Sequence, residues 1–351
     1  MRNPLALDLD HIILHTDNLW EQLRGKRIFI TGGTGFFGCW LLESFVWANE
    51  NLSLDSTIYV LTRNIQSFTK KAPHLANNQA IKLHVGDITS FVFPELQFSY
   101  VIHAATEVNL LSNRNSSLDI FNTIVEGTKH VLEFTKQCGA EKFLLTSSGA
   151  VYGKQPNDMT HIFEEYQGSP DLMSIQSAYG QGKRVSEFLC AGYANIYDFE
   201  VKIARCFAFI GAYLPLDSHL AIASFINAGL SKTPINIQGD GTAYRSYLYM
   251  ADLTIWLWHI LFRGKNCCPY NVGSDQEISI KNLAILVSQA FKHKPEIHIA
   301  QKNDPAQPIE RYVPSIQRVF NSLQLKPTIS IEDAINRSIN WYQQTGESRY
   351  V

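Results

Sequence analysis

An eight-residue run, Thr31-Gly32-Gly33-Thr34-Gly35-Phe36-Phe37-Gly38, follows the apolar stretch Arg27-Ile28-Phe29-Ile30. It satisfies two glycine spacings at once, Gly32-x-x-Gly35-x-x-Gly38 and Gly33-x-Gly35-x-x-Gly38. Glycines placed this way allow a tight turn, approach of backbone N–H groups to a pyrophosphate, and close packing of a helix on a sheet. A helix starting near Phe36 points its positive end at the same anion. Such a run alone is weak, but between a strand and a helix at the start of a fold it constrains the chain strongly.

The rest of the sequence supplies that context. Strand patterns lie at Arg27 to Thr31, Thr57 to Leu61, Lys82 to Val85, Tyr100 to His103, Lys142 to Thr146 and Glu200 to Ala204. Helical spacing fills most of the intervals, notably Gly38 to Trp47 and Asn122 to Lys136. Strand-helix alternation implies parallel strands with helices on both faces, and crossover handedness makes this a doubly wound α/β, Rossmann-like sheet. Residues from about Asn3 to Leu23 read as an additional N-terminal helix ahead of the first strand. After Phe207 the pattern loosens, with loops at Gly211 to Asp217, Ile235 to Gly241 and Pro295 to Ser330, and helices at Ala221 to Leu230 and Ile280 to Phe291. The expected organisation is a helical extension over 1–24 and a dinucleotide-binding unit over 25–207 with about 245–263. A smaller mixed α/β substrate-binding lobe is expected over 208–244 and 264–351, closing on the carboxyl ends of the strands.

Composition excludes several alternatives. A formal net charge of −2 over 351 residues gives no reason to invoke nucleic acid or an anionic membrane surface. No apolar run approaches the ~20 residues of a membrane helix. The start carries Asp8, Asp10 and Asp17 and lacks the layout of a secretory leader, so a cytoplasmic location is expected. The six cysteines show no CxxC pair and no zinc spacing, and read as small buried hydrophobes in a reducing compartment. His11 and His15 lie four apart on the first helix with no third ligand in view, so no metal is expected.

The chemistry concentrates in three further places. Tyr179 and Lys183, in Tyr-Gly-Gln-Gly-Lys, share a helix face, and a neighbouring ammonium is expected to lower the phenol's pKa from about 10. Ser148, at the end of the run Thr146-Ser147-Ser148, offers a hydroxyl to hold a substrate oxygen while Tyr179 moves its proton, which describes a hydride-transfer site. At the end of the second strand, where an acidic residue would bind a ribose 2′-OH, the chain reads Thr62-Arg63. The lost carboxylate and the offered cation favour NADP(H), with NAD(H) still allowed. Asp87-Ile88 follows the third strand and reads either as an adenine contact or as a turn closing on its own backbone. His219, Arg245 and Arg311 are candidates for a diphosphate, which guanidinium groups grip in a forked geometry.

Together these features resemble the extended short-chain dehydrogenase/reductase family, and within it the nucleotide-sugar epimerases and dehydratases. The likeness runs from about Lys26 to Trp341 and includes Gly86-Asp87, Ile102-His103-Ala104-Ala105, Val151-Tyr152-Gly153, Arg205, Gly239-Asp240-Gly241, Tyr249 with Asp252, and Tyr270-Asn271-Val272-Gly273. The resemblance implies that Tyr179 is the acid/base, that Lys183 lowers its pKa and holds the nicotinamide ribose, and that Ser148 orients the reacting oxygen. It implies a cofactor cleft formed by Gly32, Thr34, Gly35, Phe36, Phe37, Gly38, Thr62, Arg63, Asp87, Ile88, Ala104, Ala105 and Thr106. A homodimer joined through the helices near Asn122 to Lys136 and Tyr179 to Tyr193 is implied as well. The departures are informative. Relatives that eliminate water carry an Asp-Glu pair directly after the catalytic Ser/Thr, and decarboxylating relatives use a Glu in the same region. This chain has Gly149 and Ala150 there, and Ala208 where relatives often place a substrate-contacting Asn. Glu107 is a candidate substitute acid/base. The leading expectation is hydride transfer at C4 of a nucleotide-linked hexose, by a 4-keto reductase or a 4-epimerase. A 4,6-dehydratase with relocated acid/base groups and a catalytically silent cofactor-binding regulator are the alternatives.

Overall fold

The computed structural model describes residues 3–16, 18–105, 117–304 and 306–346. Strands β1 (Arg27–Thr31), β2 (Thr57–Thr62), β3 (Ile81–Val85), β4 (Tyr100–His103), β5 (Lys142–Ser148) and β6 (Glu200–Cys206) form one parallel sheet with a seventh strand, Pro269–Val272. The spatial order is Pro269–Val272, β6, β5, β4, β1, β2, β3. The chain therefore winds outward in both directions from β1 and reverses between β1 and β4, which is the crevice where open α/β sheets bind ligands. The fold class expected from the strand-helix alternation is the one observed.

Period-two alternation explains how the sheet is buried on both faces. Phe29, Val101, Phe143 and Leu145 point into one core with Phe91, Phe98 and Phe134, whereas Ile28, Ile30, Ile102 and Leu144 point into the other with Trp40, Phe45 and Trp258. After the short helices α3 (Ile65–Lys71) and α4 (Pro73–Ala76), helices α5 (Ser117–Gln137) and α6 (Ala178–Ile196) cover the first face side by side, joined by the Thr128 and Ser186 hydroxyls at 2.8 Å. Helix α2 (Phe36–Asn51) and the helix Met250–Arg263 cover the second. The latter is buried on every side from Met250 to Phe262, so it needs a cover of its own.

The N-terminal segment provides part of that cover, but in two pieces. Helix α1 (Ala6–His15) packs on Met250–Arg263, stops at Thr16, and is followed by a short 3-10 turn, Trp20–Leu23. The single helix expected over Asn3 to Leu23 is thus broken where Thr16 turns its hydroxyl back onto the Ile12 carbonyl and Asn18 adopts a left-handed φ of 62°. Two further corrections concern the later chain. Pro269–Val272 lies in a stretch the sequence assigns to the lobe, yet it hydrogen-bonds beside β6 in the main sheet. Of the six cysteines, Cys39, Cys138, Cys190 and Cys206 are buried as expected, but Cys267 is exposed. It sits at φ 52° in a turn whose N–H is pinned to the Val201 carbonyl, which directs the side chain outward.

Candidate active site

The glycine turn leaves β1 at the reversal point. Gly32 takes φ 71°, and a Cβ there would lie 2.5 Å from the Ala104 carbonyl and the Ala105 nitrogen. A Cβ on Gly38 would strike the Gly32 carbonyl, so α2 approaches the turn only because that position is bare. Gly35 begins α2 without a side-chain cap, leaving the first N–H groups of the helix to an outside acceptor. A cradle of bare backbone at an uncapped helix start fits a dinucleotide pyrophosphate.

Around this cradle, Ala104 and Ala105 close the β4 side, and the Ala105 N–H reaches the Thr31 hydroxyl at 3.3 Å. The Thr62 hydroxyl is buried and turned into its own loop, accepting from the Asn64 N–H at 3.3 Å. Arg63 is exposed beside Asp87 and helps hold that carboxyl below its ordinary pKa. The larger influence on Asp87 is Thr89, whose hydroxyl and N–H donate at 2.7 and 3.0 Å. Asp87 thus closes a turn on its own backbone through one carboxylate oxygen, while Ile88 packs against Gly127 of α5. Thr106 and Glu107 lie outside the described residues.

Beyond the cradle, β5 delivers Ser147 and Ser148 at its carboxyl end. Ser148 caps a 3-10 turn, Gly149–Tyr152, by accepting the Ala150 N–H at 3.1 Å. The first turns of α6 bring Tyr179 and Lys183 to the same place. Tyr179 comes near enough to Ser148 for that hydroxyl to influence the phenol, and the Lys183 ammonium donates to the Thr146 carbonyl of β5 at 2.8 Å. Lys183 is 1% exposed, and burial pulls its pKa down to about 8 against the weaker raising effect of its acidic neighbours, Glu187 among them. Burial pushes the Tyr179 phenol up to about 12, with the nearby Ser148 hydroxyl pulling the other way. The lowering expected from the Tyr-Lys spacing is absent: Lys183 is not among the groups that shift the phenol, desolvation dominates, and the resting phenol is a proton donor at neutral pH.

Beneath these groups is a buried polar layer. Arg205 grips Glu187 with two donors, at 2.7 and 3.0 Å, and donates to the Tyr152 hydroxyl at 2.8 Å. The Ser147 hydroxyl donates to Glu187 at 2.5 Å. His103 sits deeper, 2.7 Å from the Thr31 hydroxyl and 3.2 Å from that of Thr128. Burial, reinforced by Lys183, drops its pKa to about 3, so it is a neutral strut.

The substrate candidates divide. Arg245 and Arg311 converge on one polar pocket of about 310 Å³ with Gly153, Lys154, Gln155, Glu310 and Tyr312. Each is shared with a carboxylate, Arg245 with Glu310 at 3.6 Å and Arg311 with Glu277 at 3.3 Å. Ala208 follows β6 and accepts the Leu248 N–H, so its backbone ties the strand end to the segment carrying Arg245. His219 is exposed on the loop before the helix Ala221–Leu230 and does not line that pocket. Sequence reasoning did not single out Tyr312, whose hydroxyl stands 2.5 Å from where a Cβ on Gly149 would lie and whose ring packs tilted against Phe207 at 4.7 Å. Among the described residues no three His, Cys, Asp or Glu gather to hold a metal ion, and no helix is long and apolar enough to cross a membrane.

Residues 28–273 match the sequence model described as the NAD dependent epimerase/dehydratase family. The chain belongs to that family. Among curated proteins it is similar to UDP-glucuronic acid decarboxylase 1 of Arabidopsis thaliana, 27% identical over 315 residues that span 90% of this chain and 69% of the relative. Among solved structures it resembles the epimerase Mth375 of Methanothermobacter thermautotrophicus, with a TM-score of 0.80, 22% identity and 99% of each chain covered. It also resembles the UDP-glucose 4-epimerase of Thermotoga maritima solved with UDP-glucose, with a TM-score of 0.78, 19% identity, and 92% of this chain and 100% of that one covered. At those identities the structural likeness speaks to the fold, and the family match places the chain among NAD-dependent enzymes of nucleotide-sugar chemistry.

Proposed function

We propose that this family member transfers hydride at C4 of a nucleotide-diphosphate sugar, as a 4-keto reductase or a 4-epimerase, with Ser148, Tyr179 and Lys183 as the catalytic group. The observation that carries the reading is the approach of Tyr179 to Ser148 beside a buried Lys183 anchored on Thr146, at the carboxyl end of β5, with β4 between it and the strand that leads into the glycine cradle. Ser148 orients the substrate oxygen, Tyr179 gives it a proton or takes one, and Lys183 holds positive charge close by. A nicotinamide, when bound, supplies or accepts the hydride. Because the resting Tyr179 phenol keeps its proton, the site is set to protonate a carbonyl oxygen as it is reduced, which favours the reductase. The absence of a carboxylate at Thr62 and the cation of Arg63 favour NADP(H) over NAD(H). Arg245 and Arg311 are assigned to the diphosphate, exchanging their carboxylate partners for phosphate oxygens. Leu118, Phe188 and Ile196, exposed on α5 and α6, support a homodimer through those helices.

Similarity to UDP-glucuronic acid decarboxylases makes decarboxylation the main competitor. Gly149 and Ala150 argue against it, since neither bears a group that moves a proton. Purified protein incubated with 4-keto and 4-hydroxy sugar nucleotides, and with a nucleotide-linked uronic acid, separates these outcomes. Nicotinamide absorbance and product mass are followed together. A keto sugar reduced with consumption of NADPH, or a hydroxyl inverted without net consumption, supports the proposal. Loss of a carboxyl group from the uronic acid would overturn it.

A further inference from the structure

The sequence offers Arg63 as the cation beside the cofactor ribose, but the fold brings another cation onto the glycine turn itself. Lys71 is the last residue of α3, the short helix that follows β2, and its ammonium donates to the Thr34 carbonyl at 3.0 Å. Thr34 lies inside the turn, between Gly33 and Gly35. The turn leans on β2, since a Cβ at Gly33 would lie 2.6 Å from the Val60 side chain. Thr31 pairs with Leu61, so Thr62 at the end of β2 comes alongside Gly32. In a doubly wound fold the pyrophosphate takes the start of the first helix, and the adenosine ribose lies toward the end of the second strand. The Lys71 ammonium therefore stands on the ribose side of the cradle. Arg63 starts from the opposite end of α3, is exposed, and directs its charge at Asp87 beyond β3.

We propose that Lys71 is a specificity-determining residue for the cofactor, its ammonium holding the 2′-phosphate of NADP(H) from the glycine-turn side. An ammonium carries three hydrogens and accepts none. Thr34 takes one of them and fixes where the nitrogen sits, which leaves two for phosphate oxygens. Among the described residues no carboxylate pairs with Lys71, whereas Arg245 and Arg311 are each shared with one. The ammonium instead lies over the Tyr213 ring, 5.7 Å from its centroid, a contact that also favours positive charge. A half-buried lysine already anchored on the backbone loses little further freedom when an anion arrives. A 2′-phosphate gives this charge a strong acceptor, and the 2′-hydroxyl of NAD(H) gives it a neutral one. Arg63 and Lys71, at the two ends of α3, then bracket the same phosphate from opposite sides.

This inference rests on the NADP(H) preference proposed above, and its test reads binding, with no turnover required. Adenosine 2′,5′-bisphosphate and 5′-AMP differ only by the 2′-phosphate, and each is titrated into the full chain by calorimetry at low salt. The parent is expected to prefer the bisphosphate. Lys71→Met, which keeps the apolar stem, is expected to bind the bisphosphate about tenfold more weakly and 5′-AMP within about twofold of the parent. Lys71→Arg keeps the charge and should retain most of the preference. An equal loss for both nucleotides means that Lys71 only braces the turn, and overturns the inference. So does an undiminished preference in Lys71→Met, which leaves Arg63 as the cation and the cofactor reading intact. A parent without any preference overturns the cofactor reading and this inference together. Should Lys71→Met fail to fold, Lys71→Gln removes the charge and is judged by the same criterion. A protein that reduced no 4-keto sugar would refute the proposed hydride transfer without altering these affinities.

Discussion

Lys183 costs the protein stability, and the cost is measurable. Its ammonium is 1% exposed and its pKa falls from 10.5 to about 8 on folding, chiefly through burial. That drop corresponds to about 3 kcal/mol against the charged form. The sign follows from proton counting. Between pH 8 and 10.5 the unfolded chain holds the Lys183 proton and the folded chain has released it, so stability rises with pH through that window. At pH 7 both states are charged and the folded one carries the full penalty. Lys183→Met keeps most of the apolar stem and removes the charge, at the loss of the 2.8 Å hydrogen bond to Thr146, worth about 1 kcal/mol. The variant is therefore expected to be about 2 kcal/mol more stable than the parent at pH 7, by urea unfolding. The advantage should shrink as pH rises past 8 and reverse by about 1 kcal/mol above 10.5, where the parent loses its burden. Turnover should be lost in the same variant, since a charge retained at such a cost is retained for activity. A Lys183→Met protein that is less stable than the parent at pH 7, by an amount that does not vary with pH, would refute the reasoning.

Three other outcomes follow from the same geometry. His103 titrates near 3 when folded and 6.5 when unfolded, so stability should fall as pH drops through that interval, at up to about 1.4 kcal/mol per pH unit, and His103→Gln should flatten the slope in paired urea curves. Asp8 accepts the Tyr249 hydroxyl at 2.8 Å and pairs with Arg337, so Asp8→Ala leaves a buried phenol unpartnered and should cost about 2 kcal/mol; a loss below about 0.5 kcal/mol contradicts this. Gly38→Ala places a methyl against the Gly32 carbonyl and should weaken dinucleotide binding by about tenfold or more in calorimetry while the protein still melts cooperatively.

How much of this was legible in the sequence depended on whether the signal was local. β1 and β4 fall where their apolar runs lie, because strands buried on both faces read as continuous hydrophobic stretches. Pro269–Val272 escaped because it is short, begins with a proline suited to a sheet edge, and carries a buried Asn271. Asn271 is tolerated because its side-chain oxygen accepts the Tyr152 hydroxyl at 2.8 Å and its amide donates to the Ile162 carbonyl at 2.9 Å, partners that no local pattern reveals. At the site, the four-residue spacing of Tyr179 and Lys183 is local and readable, and both lie in the first turns of one helix. The phenol's pKa runs against the expectation, because neighbour spacing is visible in a sequence and desolvation is not. Tyr312 arrives from far along the chain with no motif of its own. The one hint was a bare Gly149 directly after the catalytic serine, where a glycine signals that another group needs the room.

The hydride step itself can be followed with NADPH deuterated on the transferring face of the nicotinamide. The purified protein is mixed with a 4-keto nucleotide sugar, and the product is examined by mass spectrometry and proton NMR. The account predicts one deuterium in the product, located at C4, and none when Tyr179 is replaced by Phe. A product formed without deuterium at C4, or a deuterium found at any other carbon, would contradict it.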